Sequence, residues 1–444
     1  MKKKTLLILG IVVVAITVAW VTYLGPSLRV ASGYAAKYAC SSTFIGQMSE
    51  DNLRRALDLS FVRNVNYTIN HEDKTVEATL FGLAKQTARY YEQGHSCGCV
   101  LGETNFPTAR AKQDRGEPSD RWWPQGDRMR DSVPEGVQQA VIQAVLKHTL
   151  EANEGVLAIT VAYGEHLVGE AYQKGVTADS RLLGWSMTKS MGNALFGIME
   201  RKGLVHRDDL TDIAAWQDDA RKEITINHLL QMSSGLKWTE NYGGLSGVTN
   251  MLYLQQNFFE YAISPSATRA PDEEWYYSSG TTNILSGLMR QNLAGYQEYL
   301  DFPYQELFEP LGMTSAVIEL DNVGEHVLSS YGWATARDWT RFGLLYLYEG
   351  NWFGEEIFTK EWVTYSTTPA AAADSVYGAQ LWLNANGEKI PGTPKDAFYE
   401  NGFGGQRILI LPSRNLVVTV LSGNVKNFKF EEFYKQLYDL LPQQ

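Results

Sequence analysis

Ser186 and Lys189, in the run Gly184-Trp185-Ser186-Met187-Thr188-Lys189, offer a nucleophile and a base one helical turn apart. A serine hydroxyl attacks a carbonyl only when a neighbour takes its proton, and a lysine buried among apolar side chains can do so because burial lowers its pKa. S-x-x-K is short enough to recur by chance, and Ser234-Gly235-Leu236-Lys237 also fits it. Context separates the two. Ser186 opens a run with apolar residues at Met187, Met191, Leu195, Ile198 and Met199, closed by Lys202-Gly203, which predicts a helix. Ser234 sits beside Gly235 just after His228-Leu229-Leu230-Gln231-Met232, where a helix should stop, and reads as a turn residue.

Two more segments carry chemistry. In Trp275-Tyr276-Tyr277-Ser278-Ser279-Gly280, a tyrosine near a lysine ammonium is drawn toward phenolate and can relay a proton; Tyr277 is the candidate and Tyr276 its rival. In Asn401-Gly402-Phe403-Gly404-Gly405-Gln406, glycines entering an edge strand let a backbone N–H approach a reacting oxygen. Phe403, Gly404, Gly405 and Gln406 are therefore the oxyanion and substrate-binding candidates, with the N–H of Gly405 or Gln406 as donor. Trp185, Trp238, Tyr242 and Trp333 are candidates for lining an acyl pocket, with core packing the plainer alternative. The seven histidines are scattered without H-E-x-x-H, and G-x-S-x-G is absent, so neither a zinc hydrolase nor a conventional α/β-hydrolase is indicated. His228 reads as structural, and the chemistry needs no metal or organic cofactor.

These residues need a scaffold. Gln138 to Ala152 has helical periodicity, and Val156–Tyr163 and His166–Tyr172 flank a Gly164-Glu165 turn as a hairpin. Residues 406–412 and 415–421 form a second hairpin signal, and an amphipathic helix follows from about Phe430 to Leu441. Strands at both ends with helices between predict an α+β fold, one antiparallel sheet built from distant segments and flanked by helices. A formal net charge of −11 argues against a nucleic-acid partner.

The N-terminus differs in kind. Lys2-Lys3-Lys4 precede an uncharged apolar run, Leu6 to Leu24, long enough to span a bilayer. Residues 1–25 are expected to be a transmembrane signal anchor with the lysines cytoplasmic and the remainder across the membrane, facing the periplasm if the cell is bacterial. The alternative is cleavage among the small residues Ala31-Ser32-Gly33 and Ala35-Ala36, giving a secreted or periplasmic protein. Residues 26–133 read as a membrane-proximal extension and linker: Val65 to Leu83 alternates around Asn70-His71-Glu72-Asp73 as a hairpin, and 102–133 is charged and proline-containing. Cys40 pairing with Cys97 or Cys99 suits an oxidising compartment.

Taken in order, the motifs of residues 134–444 resemble the serine β-lactamase-like hydrolases, which include class C β-lactamases, D,D-peptidases, family VIII esterases and 6-aminohexanoate-dimer hydrolases. Gly184 to Lys189 is similar to the family's first motif, Tyr277-Ser278-Ser279-Gly280 to its tyrosine motif, and Asn401 to Gln406 stands where it has K-T-G or H-x-G. The resemblance implies a β-lactamase/D,D-peptidase-like fold, an antiparallel sheet with a mostly helical subdomain. It also implies an acyl-enzyme on Ser186, with Lys189 and Tyr277 moving protons. Departures bear on substrate. Ser279 replaces the asparagine of Y-x-N, the third motif lacks its lysine, and S-D-N is absent. Without that cation a substrate carboxylate has no partner, which favours small esters or amides over β-lactams. The rival readings are a penicillin-recognising D,D-peptidase or β-lactamase, and a non-catalytic member that binds an envelope ligand.

Overall fold

The computed structural model describes residues 2–110, 119–425 and 427–442. The apolar N-terminal run is helical: α1 (Lys2–Ala19) passes through a wider turn, Trp20–Leu24, into α2 (Gly25–Phe44). Large side chains from Leu7 to Leu24 stand exposed, and the helix is long and apolar enough to cross a membrane. Burial then reverses along the same helix. From Val30 to Ser42 every residue of α2 is buried, which explains its composition: Ala31, Ala35, Ala36 and Ala39 let neighbouring elements approach closely.

The hairpin expected near residue 70 is β1 (Val65–Asn70) with β2 (Thr75–Leu80), extended by β3 (Leu83–Gln93) and β4 (Ser96–Leu101) into an antiparallel sheet of order β1-β2-β3-β4. This sheet packs on α2. A disulfide from Cys40 to Cys99 ties the two together, deciding between the expected partners, and Cys97 is not in a disulfide. Of the expected linker, residues 111–118 lie outside the described residues, and the described part has no regular secondary structure beyond an isolated bridge.

The periodic segments after residue 134 form the elements expected of them: α3 (Gln139–Ala152), β5 (Val156–Tyr163) and β6 (His166–Tyr172). The S-x-x-K run gives a short 3₁₀ turn, Trp185–Met187, leading into α4 (Thr188–Arg201). Then come α5 (Ser279–Asn292), α6 (Ala336–Leu347), β7 (Trp382–Leu383), β8 (Phe398–Gly402), β9 (Gln406–Leu411), β10 (Leu416–Ser422) and α7 (Phe430–Tyr438). The main sheet has the order β7-β8-β9-β10-β5-β6, antiparallel throughout. Alternate residues feed opposite layers. Ile408, Ile410 and Val417 join the core shared with α4 and α6, while Leu409, Leu411 and Val418 join the core shared with α3 and α7.

The expected division at 133/134 is not a packing boundary. Val30, Tyr34 and Cys40 belong to the same buried cluster as Leu195, Trp333 and Ile408. Residues 26–101 close one flank of the core built on β5–β10. The physical reason is that Val30, Tyr34, Ala35, Tyr38 and Ala39 give α2 apolar surface that its neighbours cover, while its buried polar residues Lys37 and Ser41 bond Glu319.

Candidate active site

Ser186 lies in the 3₁₀ turn that opens α4, 9% exposed, at the meeting of α4, α5 and the free edge of β8. The preceding Trp185 takes φ +49°, a left-handed conformation that costs a non-glycine residue about 1 kcal/mol. Packing holds it there. Its ring stacks at 5.9 Å on both Tyr34 and Tyr38 of α2 and meets Tyr242, Tyr331 and Phe403. The turn that carries Ser186 is thus braced by the N-terminal extension.

Lys189 is 1% exposed, and its ammonium donates to Ser186 Oγ at 3.1 Å, Ser279 Oγ at 2.9 Å and the Ser329 carbonyl at 2.8 Å. Burial pushes its pKa from 10.5 down to about 8, against the opposing pull of Glu240. Tyr277 has its hydroxyl within hydrogen-bonding reach of Ser186, whereas Tyr276 is 43% exposed and points elsewhere. The expected drift of Tyr277 toward phenolate does not occur. Burial, with Tyr377 next to it, pushes its pKa well above the ordinary value, and Lys189 lies over the ring face, 4.9 Å from its centroid. Burial thus favours the neutral phenol of Tyr277 beside Ser186.

The third segment forms the turn that joins β8 to β9. Gly405 N–H is spent on the Gly402 carbonyl at 3.4 Å, and the Gly404 carbonyl accepts from Val425. The Gln406 side chain bonds Ser422 at both ends and the Phe403 carbonyl. These contacts of Gly404, Gly405 and Gln406 hold the turn between β8 and β9. The close approach belongs to Gly402: a Cβ there would lie 2.2 Å from the Gly184 carbonyl oxygen. Because Gly402 C=O points to the β9 side and a trans peptide opposes its C=O and N–H, the N–H of Phe403 points the other way. That edge of β8 pairs with β7 only at Phe398 and Tyr399, so at Phe403 it carries no strand among the described residues. The Phe403 N–H is thus directed at this open edge, and the Phe403 ring stacks on Tyr242 at 4.8 Å.

Sequence reasoning missed Glu240 and had no role for Ser279 beyond a departure from Y-x-N. The Ser279 hydroxyl donates to Glu240 Oε1 at 2.6 Å, while Ser279 N–H and Trp238 Nε1 donate to Oε2 at 2.9 and 2.7 Å. Trp238 is thus a carboxylate holder; its ring packs so closely on α5 that a Cβ at Gly280 would lie 2.7 Å away. Trp333 bonds Glu319 in the core and lines no pocket. Trp185 and Tyr242 do stand at the site. His228 bonds Thr225 and faces Asp272 at 3.3 Å, a helix-capping role. Ser234 adjoins a left-handed Gly235 in a turn, as expected.

A family model described as Beta-lactamase matches residues 140–439, more than half of the chain. The chain belongs to the Beta-lactamase family. Solved structures of this family share its fold. One, from Bacillus anthracis and assigned as a 6-aminohexanoate-dimer hydrolase, superposes with TM-score 0.58 at 20% identity, over 72% of this chain and 90% of its own. A penicillin-binding protein from Bacillus halodurans gives 0.53 at 14%, over 67% and 100%. A family VIII carboxylesterase gives 0.53 at 12%, over 71% and 99%. No functionally curated sequence matches the chain. For this Beta-lactamase-family chain the shared region begins at α3, so α1, α2 and the β1–β4 sheet lie outside the matched family region.

Proposed function

We propose that this chain is a membrane-anchored serine hydrolase that cleaves small esters or amides through an acyl-enzyme on Ser186. The observation that carries the reading is the contact of Lys189 Nζ with Ser186 Oγ at 3.1 Å, made by an amine whose pKa burial lowers to about 8. Neutral Lys189 takes the Ser186 proton as Oγ bonds to the substrate carbonyl carbon. The N–H groups of Ser186 and Phe403 receive the oxyanion. Tyr277 passes a proton to the departing alcohol or amine and is reprotonated from Lys189. Water then attacks the acyl carbon, gives its proton back through the same pair, and Ser186 leaves with its hydroxyl restored.

Charge supports the substrate class. On β8, two residues before Gly402 and on the same face, stands Glu400, fully buried and pushed by burial well above the usual carboxylate range. Glu400 is sealed in the core beside Tyr346, and β8 carries no lysine or arginine, so this strand offers a substrate carboxylate no cation, which favours neutral acyl groups over penicillins. The apolar helix at the N-terminus supports an anchor that holds the hydrolase domain at the outer face of a membrane.

The test is hydrolysis of p-nitrophenyl butyrate by the full chain in detergent, beside Ser186→Ala. Turnover that vanishes in the variant supports the reading. Equal rates refute it, and rapid stoichiometric labelling of Ser186 by fluorescent penicillin shifts the assignment to a penicillin-recognising enzyme.

A further inference from the structure

Lys189 has three neighbours that can accept a hydrogen bond, and only one of them should give it a proton. As an ammonium it has three N–H donors for Ser186 Oγ, Ser279 Oγ and the Ser329 carbonyl. As the neutral amine that acts as base, it has two N–H groups and one lone pair. The direction of that lone pair decides whether Ser186 is activated. A carbonyl cannot donate, so Ser329 holds one N–H. Ser279 is a hydroxyl and in isolation could either accept from Lys189 or donate to it. Donation would occupy the lone pair and silence the base.

We infer that Glu240 is a positioning residue that fixes the polarity of this network: by holding the Ser279 proton it compels Ser279 to accept from Lys189, which leaves the amine lone pair facing Ser186. The Ser279 hydroxyl donates to Oε1 at 2.6 Å, and a carboxylate oxygen has no proton to return. The carboxylate cannot rotate away, because Oε2 accepts from Ser279 N–H at 2.9 Å and Trp238 Nε1 at 2.7 Å. Oriented in this way, Ser279 and Ser329 take the two amine N–H groups, and Ser186 Oγ–H is the one remaining partner with a proton to give. Glu240 touches neither Ser186 nor Lys189 through a hydrogen bond and acts through Ser279. The inference rests on the Ser186–Lys189 reading above and deepens it.

The substitution Glu240→Gln reverses the polarity. The amide group cannot face the two N–H donors at Oε2, so its NH2 takes the Oε1 place and donates to Ser279 Oγ, freeing the Ser279 hydroxyl to donate to Lys189. The readout is the rate at which a fluorophosphonate labels Ser186 in the full chain between pH 6 and 10. In this reaction Oγ–P forms, P–F breaks, fluoride leaves and the serine proton passes to Lys189. Besides Glu240, the Tyr277 ring lies against Lys189, with Tyr377 behind Tyr277 and Tyr242 near Ser279 and Glu240, and burial raises the pKa of all three phenols.

Glu240→Gln is expected to lower the high-pH plateau by roughly 10- to 100-fold, on the scale of a misdirected general base. It also moves the midpoint to lower pH, because the carboxylate charge supports the ammonium. A purely electrostatic role for Glu240 would shift the midpoint and leave the plateau. A merely structural role would lower the amplitude and leave the midpoint. Ser279→Ala, a second variant with the carboxylate intact, lowers the plateau as well, and Glu240→Gln added to it lowers it no further. The inference is overturned by a Glu240→Gln plateau within twofold of wild type, or by equal loss from Glu240→Gln in the two backgrounds. A wild-type Ser186 that resists the reagent overturns the parent reading instead, and with it this one.

Discussion

The base itself offers the most exacting test. Lys189 titrates at about 8 in the folded protein against an ordinary 10.5. At pH 7 about a tenth of it is then neutral, against ~3 in 10,000 for an unperturbed lysine, so burial raises the supply of base roughly 300-fold. Labelling of Ser186 by a fluorophosphonate should therefore climb about tenfold between pH 7 and 9 and level off above. The same pKa difference corresponds to about 3 kcal/mol disfavouring the folded ammonium. Below pH 8 both folded and unfolded chains carry the proton and the folded state bears the whole cost. Between about 8 and 10.5 the folded chain has released the proton and the unfolded chain keeps it, so stability rises with pH. Lys189→Met lacks this term. The stability of wild type relative to Lys189→Met should improve by up to about 3 kcal/mol from pH 7 to 10.5, read by urea unfolding of both proteins at each pH. A labelling rate flat across pH 6 to 10, or a midpoint near 10.5, refutes the argument that burial makes this lysine the base.

Tyr277→Phe should cut turnover 10²- to 10⁴-fold while leaving the midpoint near 8, because a phenol kept neutral by burial contributes no titration in that range; a midpoint displaced in the variant's pH–rate profile would restore the phenolate role. Gly402→Ala places a methyl 2.2 Å from the Gly184 carbonyl and must push the Ser186 turn off the β8 edge, so labelling of Ser186 should fall by at least 10²-fold with the melting temperature lowered. Tyr34→Ala leaves a void beside Trp185, Tyr253 and Phe61, with an expected loss of about 3–5 kcal/mol by denaturant titration and slower labelling of Ser186. Unchanged labelling in that variant would mean that the brace serves stability alone.

What the sequence made legible was whatever local periodicity and short spacing encode. The strands at 156–172 and 406–422 alternate strongly enough to announce themselves, and S-x-x-K fixes Ser186 and Lys189 on one helical face wherever the helix lies. Tyr277 followed from its place in the order of motifs. The donor at the β8 edge did not, because a glycine-rich run does not say which of its peptides turns outward. That depends on the direction of the Gly402 carbonyl, which long-range pairing with β9 sets. Glu240 left no trace either. It sits in a loop outside any motif, and its meaning arises only where that loop meets the N-terminus of α5.

The packing of the N-terminal extension was illegible in the sequence for a related reason. Small residues in Ala31 to Ala39 read in sequence as a cleavage site or as close packing, and in the structure they are closely packed. Once α2 is buried, its polar residues acquire meaning. Lys37 donates to the Cys99 carbonyl and pairs with Glu319 at 2.5 Å, and Glu319 also accepts from Ser41, Cys99 N–H and Trp333. Removing α2 would leave a fully buried carboxylate without its cation, a loss that costs several kcal/mol where the group cannot reach water. The same helix presents Tyr34 and Tyr38 to Trp185, whose strained backbone sets the direction of Ser186. A helix that served only as a tether would need neither the ion pair nor the aromatic stack. Its continuity with the apolar α1 therefore joins the exposed apolar helix at the N-terminus to the turn that carries Ser186, through packed side chains rather than through a flexible linker.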